Sequence, residues 1–264
     1  MVYSITGKDN KTLKLIRSLK RKNARQENRR FIAEGTRLVG EAFEYAATDV
    51  YCVVAEESFV EKNPEMMKTA ERVCDKVYSV TKSVFDEISD TDTPQGIMAV
   101  MNMADKTTEP YNEISGDKCI AVLDGVSEPG NMGTIIRTAE ALGFDGVYLM
   151  KGCTDIYGPK TVRATMGSVF RMSFKTDCTV EDIIKLREGG FRIISTTPSG
   201  DTEMESFLPT GNQAVVIGNE AHGISAELLE ISDVKMKIRM DGMAESLNAA
   251  IAAGIVMHWL KNCR

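Results

Sequence analysis

Metal-binding residue patterns are missing from this sequence. Its six cysteines, at positions 52, 74, 119, 153, 178 and 263, include no CxxC pair, and the only histidines are His222 and His258. A zinc site needs closely spaced thiolates and imidazoles, so no metal is expected, and the thiols read as free and mostly buried in a reducing compartment. The longest purely apolar run, Ala249 to Met257, is nine residues, too short to span a bilayer. Residues 1–11 lack the apolar stretch of a signal peptide, which makes the cytoplasm the expected location and no membrane partner expected. No GxGxxG occurs, and no acidic residue stands where a dinucleotide fingerprint needs one. With 264 residues, 43% hydrophobic and 27% charged, the chain is long and apolar enough for one large or two ordinary domains.

The net charge of −6 is unevenly spread. Residues 1–30 carry ten Lys or Arg and two Asp or Glu, a balance of +8, which leaves −14 on the rest. Asn10 is placed to cap a helix running to about Lys22, with Leu15, Ile16 and Leu19 on one face and Lys14, Arg17 and Arg21 clustered on another. Arg25 continues the basic block. A basic face in an acidic chain fits RNA, and equally fits a solvated helix surface.

Alternating apolar segments divide the chain. A small αβ domain is expected over 1–104, with a second helical stretch after Gly35 to about Ala46, strand at Val50–Ala55, helix at 57–73, strand at Val77–Val80, helix at 82–88 and strand at Gly96–Met101. Residues 105–117, without apolar periodicity, read as the linker. Strands at Ile120–Leu123, Gly146–Met150, Phe191–Thr196, Ala214–Gly218 and Val234–Arg239 then alternate with helices, the last over 245–260, which predicts a parallel sheet over 118–264. Ligands of such sheets sit beyond the carboxyl ends of strands.

Three strand-end loops carry polar residues. The first runs from Asp124 through glycines 125, 130 and 133 into a helix bearing Asn131 and Arg137, where free N–H groups and a guanidinium suit a phosphate. An ion pair of Arg137 with Glu140 or Asp124 is the ordinary alternative. The second, Gly218-Asn-Glu220-Ala-His222-Gly-Ile-Ser225, holds an amide, a carboxylate and an imidazole, although turn chemistry and a Ser225 cap would also account for them. In the third, Ser246 and Asn248 open a helix with the small face Ala249, Ala250, Ala253 and Gly254, which is either threaded into a crowded core or packed on a partner. Capping alone would explain the polar pair.

Together these loops resemble, in order and spacing, the three motifs of the SpoU (TrmH) branch of the SPOUT RNA methyltransferases: Asn131-Met-Gly-Thr-Ile-Ile-Arg137, Ile217-Gly-Asn-Glu220-Ala-His-Gly-Ile, and Ile238-Arg-Met followed by Ser246-Leu-Asn248-Ala-Ala-Ile-Ala-Ala-Gly. Lys160-Thr-Val-Arg163-Ala-Thr-Met-Gly-Ser168 is similar to a further turn of the family. Phe31-Ile-Ala-Glu-Gly35 and Thr93-Pro-Gln95-Gly96-Ile resemble its L30e-like RNA substrate-binding extension. The resemblance implies an α/β protein whose parallel-sheet methyltransferase domain holds a deep trefoil knot, working as a homodimer through its first-motif and last helices. It implies S-adenosylmethionine as methyl donor, held by Gly218, Ile238 and Leu247, and a ribose 2′-hydroxyl, most readily in rRNA, as acceptor. Arg137 would serve as base or as a stabiliser of oxyanion charge, with Asn131, Glu220, Ser246 and Asn248 positioning it and the ribose; Lys14, Arg17, Arg21 and Arg25 would meet RNA. Arg239 stands where many members have proline. A tRNA methyltransferase, and a non-catalytic RNA binder with a degenerate cofactor site, are the competing expectations.

Overall fold

The computed structural model describes residues 1–7, 9–103 and 117–263. The linker expected at 105–117 therefore lies, apart from Asp117, outside the described residues. The chain forms two compact units. One comprises the described residues within 1–104 together with 155–171, the other those within 105–154 and 172–264. The stretch 155–171 thus belongs to the first unit, although in sequence it falls inside the range expected for the second domain.

In chain order the first unit runs β1 (Val2–Ser4), α1 (Lys11–Ser18), α2 (Lys22–Asn28), β2 (Arg30–Glu34), α3 (Thr36–Tyr45), β3 (Val50–Glu56), α4 (Glu57–Lys62), α5 (Pro64–Val73), β4 (Val77–Val80), α6 (Lys82–Ile88) and β5 (Ile97–Asn102). The second opens with β6 (Cys119–Leu123), α7 (Pro129–Ala141) and β7 (Gly146–Met150). After α8 (Pro159–Thr165) and α9 (Ser168–Arg171), which belong to the first unit, follow β8 (Phe174–Cys178), α10 (Val180–Glu188), β9 (Arg192–Thr196), β10 (Thr202–Glu203), β11 (Gln213–Ile217), α11 (Ala226–Ile231), β12 (Val234–Lys237) and α12 (Ala249–Asn262).

The first sheet is mixed, in the order β1-β4-β3-β5-β2, with β5 antiparallel to both neighbours. One of its faces is covered by Leu13, Ile16 and Leu19 of the first helical segment and by Phe85 and Ile88 of α6. Burying each such side chain is worth about 1.5–3 kcal/mol. The apolar stripe of α1 is therefore Leu13, Ile16 and Leu19, with Leu15 only half-buried. The expected helix to Lys22 ends at Ser18, and a second begins at Lys22. The helix expected over 57–73 breaks at Asn63, because Pro64 cannot donate a backbone N–H and disfavours helix at the residue before it.

The second sheet is parallel throughout, in the order β10-β12-β9-β11-β6-β7-β8. β6, β7 and β11 are buried along their whole length, which explains their unbroken apolar runs. The last helix starts at Ala249 rather than 245. Asn248 ends the loop by accepting hydrogen bonds from Ala250 N (2.9 Å) and Ile251 N (3.2 Å) on its own Oδ1. Among the described residues no helix is long and apolar enough to cross a membrane.

Candidate functional site

β6, β11 and β12 are parallel members of one sheet, so the loops that follow them leave from the same edge. The loop after β11 turns back tightly, with Asn219 and Gly223 exchanging two backbone hydrogen bonds of 2.9 Å. A Cβ on Gly218 would lie 2.4 Å from the carbonyl carbon of Gly223, so only glycine fits there. Asn219 holds the turn internally by accepting from Ala221 N (2.8 Å) and His222 N (3.0 Å), and ties it to the first loop by donating Nδ2 to Gly125 O (2.7 Å). Asp124 accepts from Ser225 N (2.7 Å), so the start of α11 is capped by the first loop and not by the Ser225 side chain.

Glu220 projects from this turn to the start of α7. Its carboxylate accepts from Asn131 Nδ2 (2.9 Å), from Ser127 N and Oγ (3.2 and 3.0 Å) and from Glu128 N (3.3 Å). Asn131 Oδ1 in turn accepts from Asn248 Nδ2 at 3.0 Å. A relay Asn248–Asn131–Glu220 thus joins all three loops. Partial burial alone would raise the Glu220 pKa, but the hydrogen bonds from Asn131 and the backbone N–H groups outweigh it and hold the carboxyl at about 2. Glu220 is a fixed acceptor and does not serve as a proton carrier near neutrality. The amide of the second loop is thus Asn219 acting as a tie between turns, whereas Ser127 carried no sequence signal, because a loop serine has ordinary roles that spacing cannot separate from this one.

Arg137 stands six residues beyond Asn131, about 9 Å further along α7. It is exposed, and its guanidinium has no hydrogen bond or ion pair among the described residues, so the expected alternative of a pair with Glu140 or Asp124 is not formed. Together with Thr134, Thr138, Gly254 and His258 it lines a groove of about 390 Å³ on the α7–α12 face. Ser246 is exposed and does not join the relay.

The three residues expected to hold the methyl donor follow two of these strands. Gly218 comes directly after β11, Ile238 directly after β12, and Leu247 ends the third loop, 38% exposed. Among the described residues their backbone N–H and C=O groups make no hydrogen bonds. Open backbone groups beside the apolar side chains of Ile238 and Leu247 suit a nucleoside bearing an amino-acid chain. No cluster of three or more metal-ligating side chains occurs among the described residues. Burial pushes the Cys153 thiol up to about 11 and those of Cys52 and Cys178 up to about 12, which leaves no reactive thiolate among them.

The basic amino-terminal block divides in two. Lys14 and Arg17 lie at the surface in ion pairs with Asp9 and Glu87, each at 3.0 Å, and Arg21 is exposed. Arg25, expected among the RNA contacts, is instead 4% exposed. Its guanidinium grips Asp155 (2.7 and 2.9 Å) and donates to the carbonyls of Leu19 (2.8 Å) and Lys20 (2.9 Å), which spends four of its five N–H donors inside the first unit.

Comparison with known proteins matches residues 118–258 to the SpoU rRNA methylase family and residues 10–99 to the MRM3-like substrate-binding domain. The chain is 30% identical to the 23S rRNA (guanosine(2553)-2′-O)-methyltransferase RlmP of Bacillus subtilis, over 97% of this chain and 98% of that one. The crystal structure of an AdoMet-bound rRNA methyltransferase from Sinorhizobium meliloti superposes with a TM-score of 0.84 at 31% identity, covering 98% of this chain and 97% of the other. The SpoU methyltransferase AviRb of Streptomyces viridochromogenes, in complex with AdoMet, gives 0.83 at 25% identity over 95% and 97%.

Proposed function

Because the chain belongs to the SpoU rRNA methylase family, we propose that it transfers the methyl group of S-adenosylmethionine to a ribose 2′-hydroxyl of ribosomal RNA. The observation that carries this reading is the Asn248–Asn131–Glu220 relay, which binds the three strand-end loops into one constellation. A protein that only bound RNA would have no need of it. The reading assigns residues 118–264 to methyl transfer and 1–104 to RNA, and places the enzyme in the cytoplasm. It includes the trefoil knot, formed where the chain carrying the second and third loops threads back.

When bound, S-adenosylmethionine supplies an activated methyl on its sulfonium. The backbone of Gly218, Ile238 and Leu247 would hold it. The remaining difficulty is the acceptor, since a sugar hydroxyl is a weak acid that must shed its proton as it attacks. Arginine keeps its proton in proteins, so we assign Arg137 to orienting an adjacent phosphate and stabilising the developing oxyanion, while the hydroxyl proton passes to solvent water and the demethylated thioether leaves. Asn131, steered by Glu220 and Asn248, orients the ribose, with Ser246 beside it on the third loop. Mapping 2′-O-methylated nucleotides in rRNA and tRNA from cells with and without the gene tests the reading. One rRNA position should lose its methyl group. Loss confined to tRNA would overturn the choice of RNA, and no loss in either would overturn the activity.

The same reading includes a homodimer through α7 and α12. Ile251, Gly254, Ile255 and His258 form one stripe along α12, and Ile251 and Ile255 are 57% and 36% exposed. An isoleucine pair held in water beside the Arg137 groove suits a second copy of the same face. A Cβ on Gly254 would meet Thr138 Cγ2 of the same chain at 3.9 Å, so a bulky residue there would also disturb α7. Ile251→Asp with Ile255→Asp is the cleaner test. Light scattering should then report half the wild-type mass, with circular dichroism unchanged. Monomeric wild-type protein at micromolar concentration would rule out the dimer.

A further inference from the structure

The first unit holds a second cavity, of about 350 Å³, whose lining includes no residue of the methyl-transfer constellation. Gly35, Arg37, Thr93 and Gln95 line it from one side, and Arg163 and Met166 of the 155–171 stretch complete it. Its polar chemistry is one-sided. Gln95 Oε1 is fixed on Thr36 N (2.8 Å), so its amide nitrogen is oriented and makes no bond among the described residues. Gly35 permits that clamp. It sits at φ +102°, and a Cβ there would be 3.2 Å from the same oxygen. The Arg37 guanidinium and the Thr93 hydroxyl are also without partners among the described residues. Arg163 spends one nitrogen on Asp90 (3.0 Å) and keeps the rest.

The carboxylate in the wall, Glu34, is buried and already occupied. It accepts from Ser89 Oγ, from Thr91 Oγ1 (2.8 Å) and from Asp90 N (3.0 Å). What remains open is a set of donors in a lining that also includes the apolar side chains of Leu38 and Met166. Such a cavity suits a partly apolar ligand bearing acceptor oxygens.

We propose that this cavity receives one unstacked nucleotide of the RNA, with its base carbonyls on Gln95 and Thr93 and its phosphate on Arg37 and Arg163. The assignment rests on the RNA reading above and adds an anchor distinct from the amino-terminal basic helix. Bases are read on single strands because only an unpaired base can be turned out of its stack, and a planar guanidinium matches phosphate oxygens two at a time. It also gives a function to the 155–171 stretch, which carries Arg163 into the first unit.

The test is binding of the full-length protein to an unmodified 23S rRNA transcript across 50–200 mM salt, values chosen to resolve counterion release. Arg37→Ala should weaken binding by about tenfold and reduce the log–log salt slope by about one. Arg37→Lys should keep the slope. Thr93→Phe, which fills the cavity without changing charge, should weaken binding at unchanged slope. S-adenosylmethionine affinity by calorimetry should not move in any variant. Simultaneous replacement of Lys14, Arg17 and Arg21 should lower the slope by the same amount in the wild-type and in an Arg37→Ala background, since the two anchors are separate. Wild-type affinity and slope in Arg37→Ala, or Arg37→Ala and Thr93→Phe losing affinity for a fully paired RNA duplex as strongly as for the transcript, would overturn the proposal. Because the readout is binding, it stands apart from the activity: absence of methyl transfer by wild-type protein would sink the proposed reaction and leave this result intact.

Discussion

Arg137→Ala is expected to lower methyl transfer by about 10²–10³, the usual loss when a donor aimed at developing charge is removed, while S-adenosylmethionine still binds. The residue is exposed and makes no hydrogen bond or ion pair among the described residues, so its removal leaves no orphaned group behind. Gly218, Ile238 and Leu247 lie on other loops and would use their backbones for the cofactor, so their pocket should survive. Arg137→Lys is the sharper variant. Lysine keeps the charge but loses the planar fork, so a positioning role predicts little recovered activity, whereas a purely coulombic role predicts most of it. Single-turnover transfer of labelled methyl groups to rRNA, with calorimetry for the cofactor, separates chemistry from binding. Near-normal turnover in Arg137→Ala would remove the residue from the mechanism.

Arg25→Ala should destabilise the first unit by about 3–5 kcal/mol, because it leaves the Asp155 carboxylate, whose side chain is only 17% exposed, without its cation. Two backbone carbonyls, of Leu19 and Lys20, lose their donor as well. A fall of the urea midpoint by more than about 1 M is the expected reading. Arg25→Lys should recover part of it, since one ammonium cannot reach Asp155 and both carbonyls as the guanidinium does. If Arg25→Ala unfolded at the wild-type midpoint and bound RNA weakly, the arginine would return to the RNA contacts expected from its place in the basic block. That expectation failed for a physical reason. Charge density along the chain shows how many cations are near one another, but not which of them meets a carboxylate 130 residues away.

Periodicity sufficed for the elements that bury long apolar runs. β6, β7 and β11 lie close to their expected places because a strand covered on both faces leaves no polar alternation to misread. It failed for β8, whose Phe174-Lys-Thr-Asp-Cys178 has no apolar run, and for the two-residue β10. It also lost helix ends. Asn63 and Asn248 terminate or start helices through local hydrogen bonds and an adjacent proline, signals that compete with an unbroken amphipathic pattern.

The sequence by itself determined the family, through three ordered motifs, and with it the α/β class and the identities of Asn131, Arg137, Glu220 and Asn248. Their types and spacing are local properties that a chain carries unfolded. Only the tertiary structure decided how they are arranged: that Asn131, Glu220 and Asn248 form one hydrogen-bonded relay while Arg137 lines a groove outside it, that Arg25 is internal, and that Arg163 joins the first unit. Each of these depends on which residues, far apart in the chain, the sheet order brings within hydrogen-bond distance, and a hydrogen bond is decided over tenths of an ångström that no spacing in sequence encodes.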